Sequence, residues 1–454
     1  MVVDSPSRSF ERYGTWCRVG EQRAADGRLS YDEREGVSLW TAERSPFDHG
    51  SNDQDFVVVG YIEGVPWTLV GCSFRNSSAK GTDYYVRYAL EGLAADESAE
   101  LSQFDEIRIE FTGVWDLVSV RPRTAPESKR ESLDLSVEVG ETATLELRSE
   151  LVDLQLDTEG ASRVRDRLIF IGRVQTPTSL EHLSALFTAP LSDLITLAVR
   201  RAAVTVSTEL AGPATTVESR SGRVRRGVAT AHWSEVGSKL RTERSSRPAL
   251  QIPTEPHRFA ALFATWFQLH GHLDLPIGLR SADLVADMTY ASTRFLLVAQ
   301  ALEALHRRLY PTAINDDGAD ARDNALAKVS PEHRKALETL LSHAHEPTYR
   351  RRLKVLRDEA QPQLSQVVGD HLTRAIDLIV DNRNAVTHWD PSIDEPDGLL
   401  LVALRQVADV VFDLVLLKRL GLTDDELVVA VSAYRSTNVC YWLERALADI
   451  DGGP

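Results

Sequence analysis

Arg383 and His388 stand five residues apart in the stretch Asp381-Asn382-Arg383-Asn384-Ala385-Val386-Thr387-His388-Trp389. A histidine titrates near neutral pH, so it can take up or release a proton there. An arginine stays charged and can grip phosphate oxygens with parallel N–H donors as negative charge builds on them. RNA carries its own nucleophile, the 2′-hydroxyl. A proton mover and an anion clamp are therefore the minimum for metal-free transesterification, which leaves a 2′,3′-cyclic phosphate and a 5′-hydroxyl. The same residues also admit a structural reading, in which Arg383 pairs with a buried acid and His388 caps a helix C-terminus, where a cation is favoured.

The element that must position them is a helix. Leu372, Ile376, Ile379 and Val380 recur at spacings of 3 and 4, and Arg383 continues the same stripe. An arginine on an apolar stripe is costly unless something anionic or polar meets it. Trp389-Asp390-Pro391 ends the helix just after His388.

The pattern Arg-Asn-x-x-x-His resembles the active-site motif of the HEPN superfamily of metal-independent ribonucleases. A looser instance, Arg226 and His232, lies in a stretch with no helical stripe. HEPN proteins often carry a polar residue on an earlier helix near the motif. Glu303, in Gln300-Ala-Leu-Glu-Ala-Leu-His306, matches that description and could orient Arg383 or His388, or pair with Arg307 one turn on. Asn384 reads as fixing local geometry through its amide, and Asp381 as doing likewise or being solvated.

The resemblance reaches further. A β-rich N-terminal region with Trp16, Gly27-Arg-Leu-Ser-Tyr31 and Phe104 to Trp115, then the Glu303 helix, then the Arg-His motif, is similar to the ApeA-type anti-phage proteins. That resemblance implies abortive infection, in which the cell damages its own RNA once a phage is sensed. The N-terminal module would be the sensor or regulator, answering a phage-derived trigger. It also implies a homodimer or a higher even-numbered oligomer, with two motif helices paired across a two-fold axis and the stripe of Ile376, Ile379 and Arg383 buried between them. The basic helix Tyr349 to Arg357, with Arg350, Arg351, Arg352 and Lys354, could line the rim of such an RNA cleft.

Composition limits the alternatives. A chain of 454 residues has room for two or three domains. Its 43% hydrophobic and 26% charged content is that of an ordinary globular protein. A net charge of −16 argues against a protein that coats nucleic acid non-specifically, although an RNA enzyme needs only a local basic cleft. No run of about 18 apolar residues is present, so no membrane span is expected, and the N-terminus lacks the apolar core of a secretory signal. Three widely separated cysteines suggest a reducing cytoplasm, with neither a disulfide framework nor a zinc site. His270-x-His272 and His343-x-His345 have no cysteine or clustered acid at ligand spacing, and no phosphate loop, nucleophile elbow or zincin helix occurs. Neither metal nor cofactor is expected.

The fold class expected is α+β and multidomain: an antiparallel β-rich module, sandwich or barrel-like, over 1–210 and ending in a helix; a basic linker over 211–255; and an all-α HEPN bundle over 256–454. Leu133 to Val139 alternates strictly and turns at Gly140-Glu141 into Ala143 to Leu147, a hairpin. Val57 to Ile62 and Trp67 to Val70 make another, and Ile107, Ile109 and Phe111 mark a half-buried strand. Trp16, Trp40, Trp67 and Trp115 read as core and edge residues or as a ligand-stacking set. From Thr178, a capping box Thr178-x-x-Glu181 opens a helix bent at Pro190. The arginines at 220, 223, 225 and 226, with Lys239, Arg241, Arg244 and Arg247, suit a solvated linker or RNA contact. One long helix is expected from Ser281 to Tyr310, and Ser330-Pro331-Glu332 starts another. The competing reading of the whole is a catalytically silent helical scaffold whose β module binds a protein partner.

Overall fold

The computed structural model describes residues 9–32, 35–43, 46–47, 55–93, 103–118, 133–154, 163–218, 224–233, 247–285, 288, 290–314, 316–342, 346–388 and 397–451. The chain divides into two compact units. Residues 1–196, 201–243 and 252–264 form the first, and 197–200, 244–251 and 265–454 the second.

The first unit begins with six antiparallel strands: β1 (Phe10–Arg18), β2 (Ala24–Asp32), β3 (Gly36–Thr41), β4 (Phe56–Ile62), β5 (Val65–Ser78) and β6 (Gly81–Glu91). They are ordered β3-β2-β1-β4-β5-β6, and β3 also pairs with β6, so the six close into a barrel. Closure removes the exposed edges that a flat sheet would carry. The alternating apolar residues, among them Trp16, Leu29, Leu39, Val58, Leu69 and Val86, fill the interior. Trp16 fits because glycines face it: a Cβ on Gly60 would lie 2.4 Å from its ring, and one on Gly27 3.0 Å away. Its indole N–H donates to the Gly27 carbonyl at 3.3 Å. Trp16 and Trp67 are fully buried while Trp40 and Trp115 are half-buried, the distribution of core and edge residues.

The remaining strands extend the same sheet. They are β7 (Phe104–Phe111), followed by the one-turn helix α1 (Val114–Leu117), then β8 (Asp134–Val139), β9 (Ala143–Leu154) and β10 (Arg163–Thr178). Helix α2 (Leu180–Leu183) runs through a π turn at Ser184–Thr188 into α3 (Ala189–Val199). After it come β11 (Thr205–Ala211), β12 (Thr216–Glu218), β13 (Val224–Arg226) and β14 (Ala229–His232). The order continues from the barrel as β6-β14-β11-β7-β10-β9-β8, with β12 and β13 a separate small hairpin. Strand β6 is therefore forked. Its Thr82–Val86 half pairs with β3 to shut the barrel, and its Ala89–Glu91 end carries β14.

Several expectations change here. The 211–255 stretch is no plain linker: β14 is an interior strand, held by β6 on one side and β11 on the other. A strand this short draws its stability from two neighbours and not from its own apolar content, so its sequence gives little sign of it. Arg220, Arg223, Lys239, Arg241 and Arg244 lie outside the described residues. Strand β7, expected to be half-buried, is more covered than that: Glu106 and Glu110 are buried along with Ile107, Ile109 and Phe111. Glu106 is covered by Arg173 at 2.7 Å and Arg108 at 2.8 Å. The cap of α2 is Ser179, whose hydroxyl accepts from His182 N, and Thr178 is the last residue of β10. The helical run Leu180–Val199 is long and apolar enough to cross a membrane, although Glu181, Ser184 and Asp193 interrupt its apolar residues. It is mostly buried, as a core helix is.

The helices that follow are α4 (Pro256–Val285), α5 (Ala291–Leu309), α6 (Asp316–Lys328), α7 (Pro331–Leu340), α8 (Tyr349–Ala360), α9 (Gln363–Val368), α10 (Leu372–His388), α11 (Gly398–Arg419), α12 (Asp424–Arg435) and α13 (Val439–Asp451). Helix α4 bends at Leu273, three residues before Pro276, whose missing N–H cannot continue the ladder. The single helix expected from Ser281 to Tyr310 is two, because α4 ends at Val285 and α5 starts at Ala291. In the second unit α11 packs on α5, α8, α9, α10, α12 and α13, so most of its length is buried.

Charges are buried at the centre of this unit. Arg280 is fully buried and donates through Nε and Nη2 to both carboxylate oxygens of Asp413, each at 3.2 Å. Its Nη1 lies 3.4 Å from Asp409 and 3.5 Å from Asp283. Asp283 also receives Arg294 at 2.8 Å and Arg405 at 2.7 Å, and the Tyr434 hydroxyl donates to Asp413. Three arginines face three aspartates. Burial nevertheless pushes the Asp409 carboxyl up, against the pull of Arg280 and Arg405.

Candidate active site

Helix α10 turns Leu372, Ala375, Ile376, Ile379 and Val380 inward, and it packs on α5, α8 and α11. Ile376 and Ile379 are fully covered within the protomer. They are core residues, and the stripe is not free to form a dimer contact. Arg383, where the stripe reaches the helix end, remains 23% exposed.

An acid does meet that arginine. Arg383 Nη2 donates to Glu303 Oε2 at 3.0 Å, across from α5. Its Nη1 donates to Asn384 Oδ1 at 3.2 Å. Its guanidinium carbon lies 5.2 Å from the centre of the Tyr349 ring, at the start of α8. Three helices thus hold one guanidinium by a carboxylate, an amide and an aromatic face. Glu303 contacts both arginines, since its other oxygen accepts from Arg307 at 3.3 Å. The Arg383 carbonyl accepts from the Thr387 hydroxyl at 2.6 Å. His388 closes α10, and its side chain lies outside the described part of the structure. Five residues advance about 7.5 Å along a helix.

Sequence reasoning missed Tyr349. Its hydroxyl is buried and has no hydrogen-bond partner, and burial pushes its phenol up, so it stays protonated. The available signal was an aromatic residue opening an otherwise basic helix, directly after the capping Thr348. Another missed group is His306, 1% exposed on α5. Burial, aided by Arg352 and Arg307, pushes it down to about 4, so it is neutral at physiological pH.

The four basic residues of α8 fare differently. Arg352 is buried, donating to Glu346 at 2.9 Å and to the Pro347 carbonyl at 2.8 Å, and so has no face to offer RNA. The expectation fails there because α8 needs residues on its inward side and Arg352 is one of them. Arg350 is partly exposed but bound to Asp377 and, at 2.8 Å, to Asp381. Arg351 and Lys354 are exposed. Of the histidine pairs, His272 contacts the Arg308 carbonyl at 2.8 Å and His270 lies against Trp266, while His343 and His345 fall outside the described residues. Among the described residues no three His, Cys, Asp or Glu side chains gather as metal ligands would.

The Arg383–Glu303 pair is partly exposed, and such pairs contribute about 1 kcal/mol or less to stability. Glu303→Gln is therefore expected to leave the urea midpoint nearly unchanged while releasing Arg383. Any RNA cleavage at this site should fall by about tenfold, equivalent to roughly 1.4 kcal/mol of lost positioning. A variant as active as wild type would make Glu303 a bystander.

A late helix carrying an arginine and, five residues on, a histidine, inside an all-helical unit, is the arrangement that the resemblance to HEPN proteins implies. Residues 296–426, from α5 into α12, match the family model described as Apea-like HEPN, and this segment is a HEPN domain of the ApeA type. No curated protein and no solved structure matches the chain.

Proposed function

We propose that the protein is a metal-independent endoribonuclease of anti-phage, abortive-infection defence. The observation that carries this reading is Arg383 on α10, held by Glu303 and the Tyr349 face, five residues before His388 within the segment matching Apea-like HEPN. Arg383 clamps the phosphate oxygens as charge builds on them, and His388 moves the proton. The 2′-oxygen loses its proton and attacks phosphorus, and the 5′-oxygen leaves and is protonated. Asn384 and Glu303 set the direction of the guanidinium. The reaction needs no cofactor. Arg351 and Lys354 are the α8 cations placed to meet the RNA backbone. The protein acts in the cytoplasm, and a phage-derived trigger acts through the N-terminal module.

One histidine must serve as base and acid in a single reaction, which a second copy of the site relieves. We therefore place two chains about a two-fold axis, as a homodimer or higher even-numbered oligomer. The contact uses the outer side of α10, where Asn384 and Thr387 are exposed, since Ile376 and Ile379 are taken. The second reading, a silent scaffold that binds a protein partner, draws on the same ion pair, because a purely structural arginine also seeks an acid.

The end chemistry separates the two. With a short single-stranded RNA, cleavage should persist in excess EDTA and leave 2′,3′-cyclic phosphate and 5′-hydroxyl ends. Activity lost in EDTA and restored by one particular divalent ion would overturn the Arg-His mechanism. No cleavage of any RNA, with or without the trigger, would favour the scaffold.

A further inference from the structure

We propose that the N-terminal module binds a nucleoside, a flat nitrogen heterocycle on a ribose, in a cavity where the barrel and the extended sheet diverge. This site lies wholly within the first unit and does not depend on the ribonuclease reading.

The cavity follows from the fork in β6. Strand β14 pairs with β11 only at Thr230–Glu209 and Ala229–Leu210. Beyond those pairs Thr205–Thr208 and Ala231–Trp233 form opposite sides of a cavity of about 420 Å³, completed by Ser9, Phe10, Arg12 and Tyr31 from the ends of β1 and β2. That volume lies in the range of small-ligand sites, about 300–1,000 Å³, and holds a single nucleoside rather than a length of chain.

The walls suit two kinds of surface. One side is aromatic. The Phe10 ring lies 5.6 Å from Tyr31 and 5.3 Å from His232, and Trp67 stacks on His232 from behind at 5.6 Å and 21°. Such rings accept the face of any base. The other side carries hydroxyls, from Thr205, Ser207 and Thr208, and Thr230 adds one on the strand of His232. Thr208 is 2% exposed, and its hydroxyl has no hydrogen-bond partner. Buried polar groups are rarely left unpaired, and a ligand with polar edges offers the missing partner.

Charge selects among ligands. Arg12 and His232 each lie 3.3 Å from Glu91. One guanidinium is thus balanced by one carboxylate, which leaves little excess positive charge for a polyphosphate. The hydrogen bond from His232, with Arg12 assisting against burial, holds the Glu91 carboxyl low, so that balance persists at neutral pH. A neutral or singly charged ligand fits, whether free nucleoside or the terminal nucleoside of an RNA.

Calorimetric titration of the full-length protein tests this, with adenosine, uridine, ATP and the dinucleotide ApA as probes. At least one nucleoside should bind saturably with a Kd of about 1 mM or tighter, and more tightly than ATP. Thr208→Val, which removes only the orphan hydroxyl, should weaken binding about fivefold or more. His232→Leu, which removes the stacking wall, should weaken it about tenfold or more. Circular dichroism checks that each variant folds, and Thr208→Val keeps the test sound if His232→Leu does not. ApA binding as well as adenosine would identify the chain end as the source, and weaker ApA binding the free nucleoside. Absence of nucleoside binding, preference for ATP, or unchanged affinity in folded Thr208→Val would overturn the proposal.

Discussion

Replacement of His388 by alanine is expected to lower RNA cleavage by about 10²- to 10⁴-fold, the usual consequence of losing a general acid or base. Folding should be unaffected, because the substitution falls at the last residue of α10 and leaves Leu372, Ala375, Ile376, Ile379 and Val380 in place. Arg383→Ala should be at least as damaging to activity, since it removes the anion clamp, yet it also frees Glu303. Thermal unfolding of both variants therefore accompanies the assay. Mixing the two variants adds a test of pairing: if two chains build one cleft, hybrid assemblies will cleave at a rate unlike either parent. Wild-type rates from the His388→Ala protein would end the catalytic assignment, and a fully active monomer would end the pairing.

The second large effect concerns stability. Arg280→Leu removes the bidentate partner of Asp413 and the nearest cation to Asp409, in a region with almost no solvent access. Breaking a buried ion pair from one side costs about 3–5 kcal/mol, a large part of the roughly 5–15 kcal/mol that holds a domain folded. The loss will depend on pH. Without Arg280, burial raises the Asp409 carboxyl further above its unfolded value near 4, so the folded state binds a proton that the unfolded state has released. The deficit is then smallest below about pH 4 and grows as pH rises. Urea titrations of wild type and variant at pH 5 and pH 8 should show the larger gap at pH 8. A gap below about 1 kcal/mol at pH 8 would mean that the network is solvated or rearranges easily.

Much of the architecture is readable from period. The hairpins at 57–70 and 133–147 announce themselves by alternation, and α10 and α11 by their apolar stripes, because in each the core contacts are made by the element's own apolar residues. The misreadings come where neighbours decide. Strand β14 exists because β6 and β11 flank it, and the break between α4 and α5 interrupts an apolar pattern that would have run on. At the site, the Arg383–Glu303 contact is legible as a charge on an apolar stripe that demands a counter-charge. Tyr349 is not, since a ring beneath a guanidinium leaves no periodic trace. The buried network did leave one. Asp409 and Asp413, one turn apart, interrupt a long apolar helix, and acids so placed require cations from elsewhere in the fold.

The fork in β6 has a bearing on how the protein is made. Its second branch is filled by β14, residues 229–232, the last strand of the module in chain order. Translation runs from the N-terminus, so every strand of the module is synthesised before any residue of the matched segment at 296–426. At about 5–20 residues per second, a ribosome needs roughly 10–30 s to pass from β14 to His388. A β module that folds on the ribosome within that interval is in place before the Arg-His pair exists, and a nascent chain that stalls or is cut short in it carries no such pair.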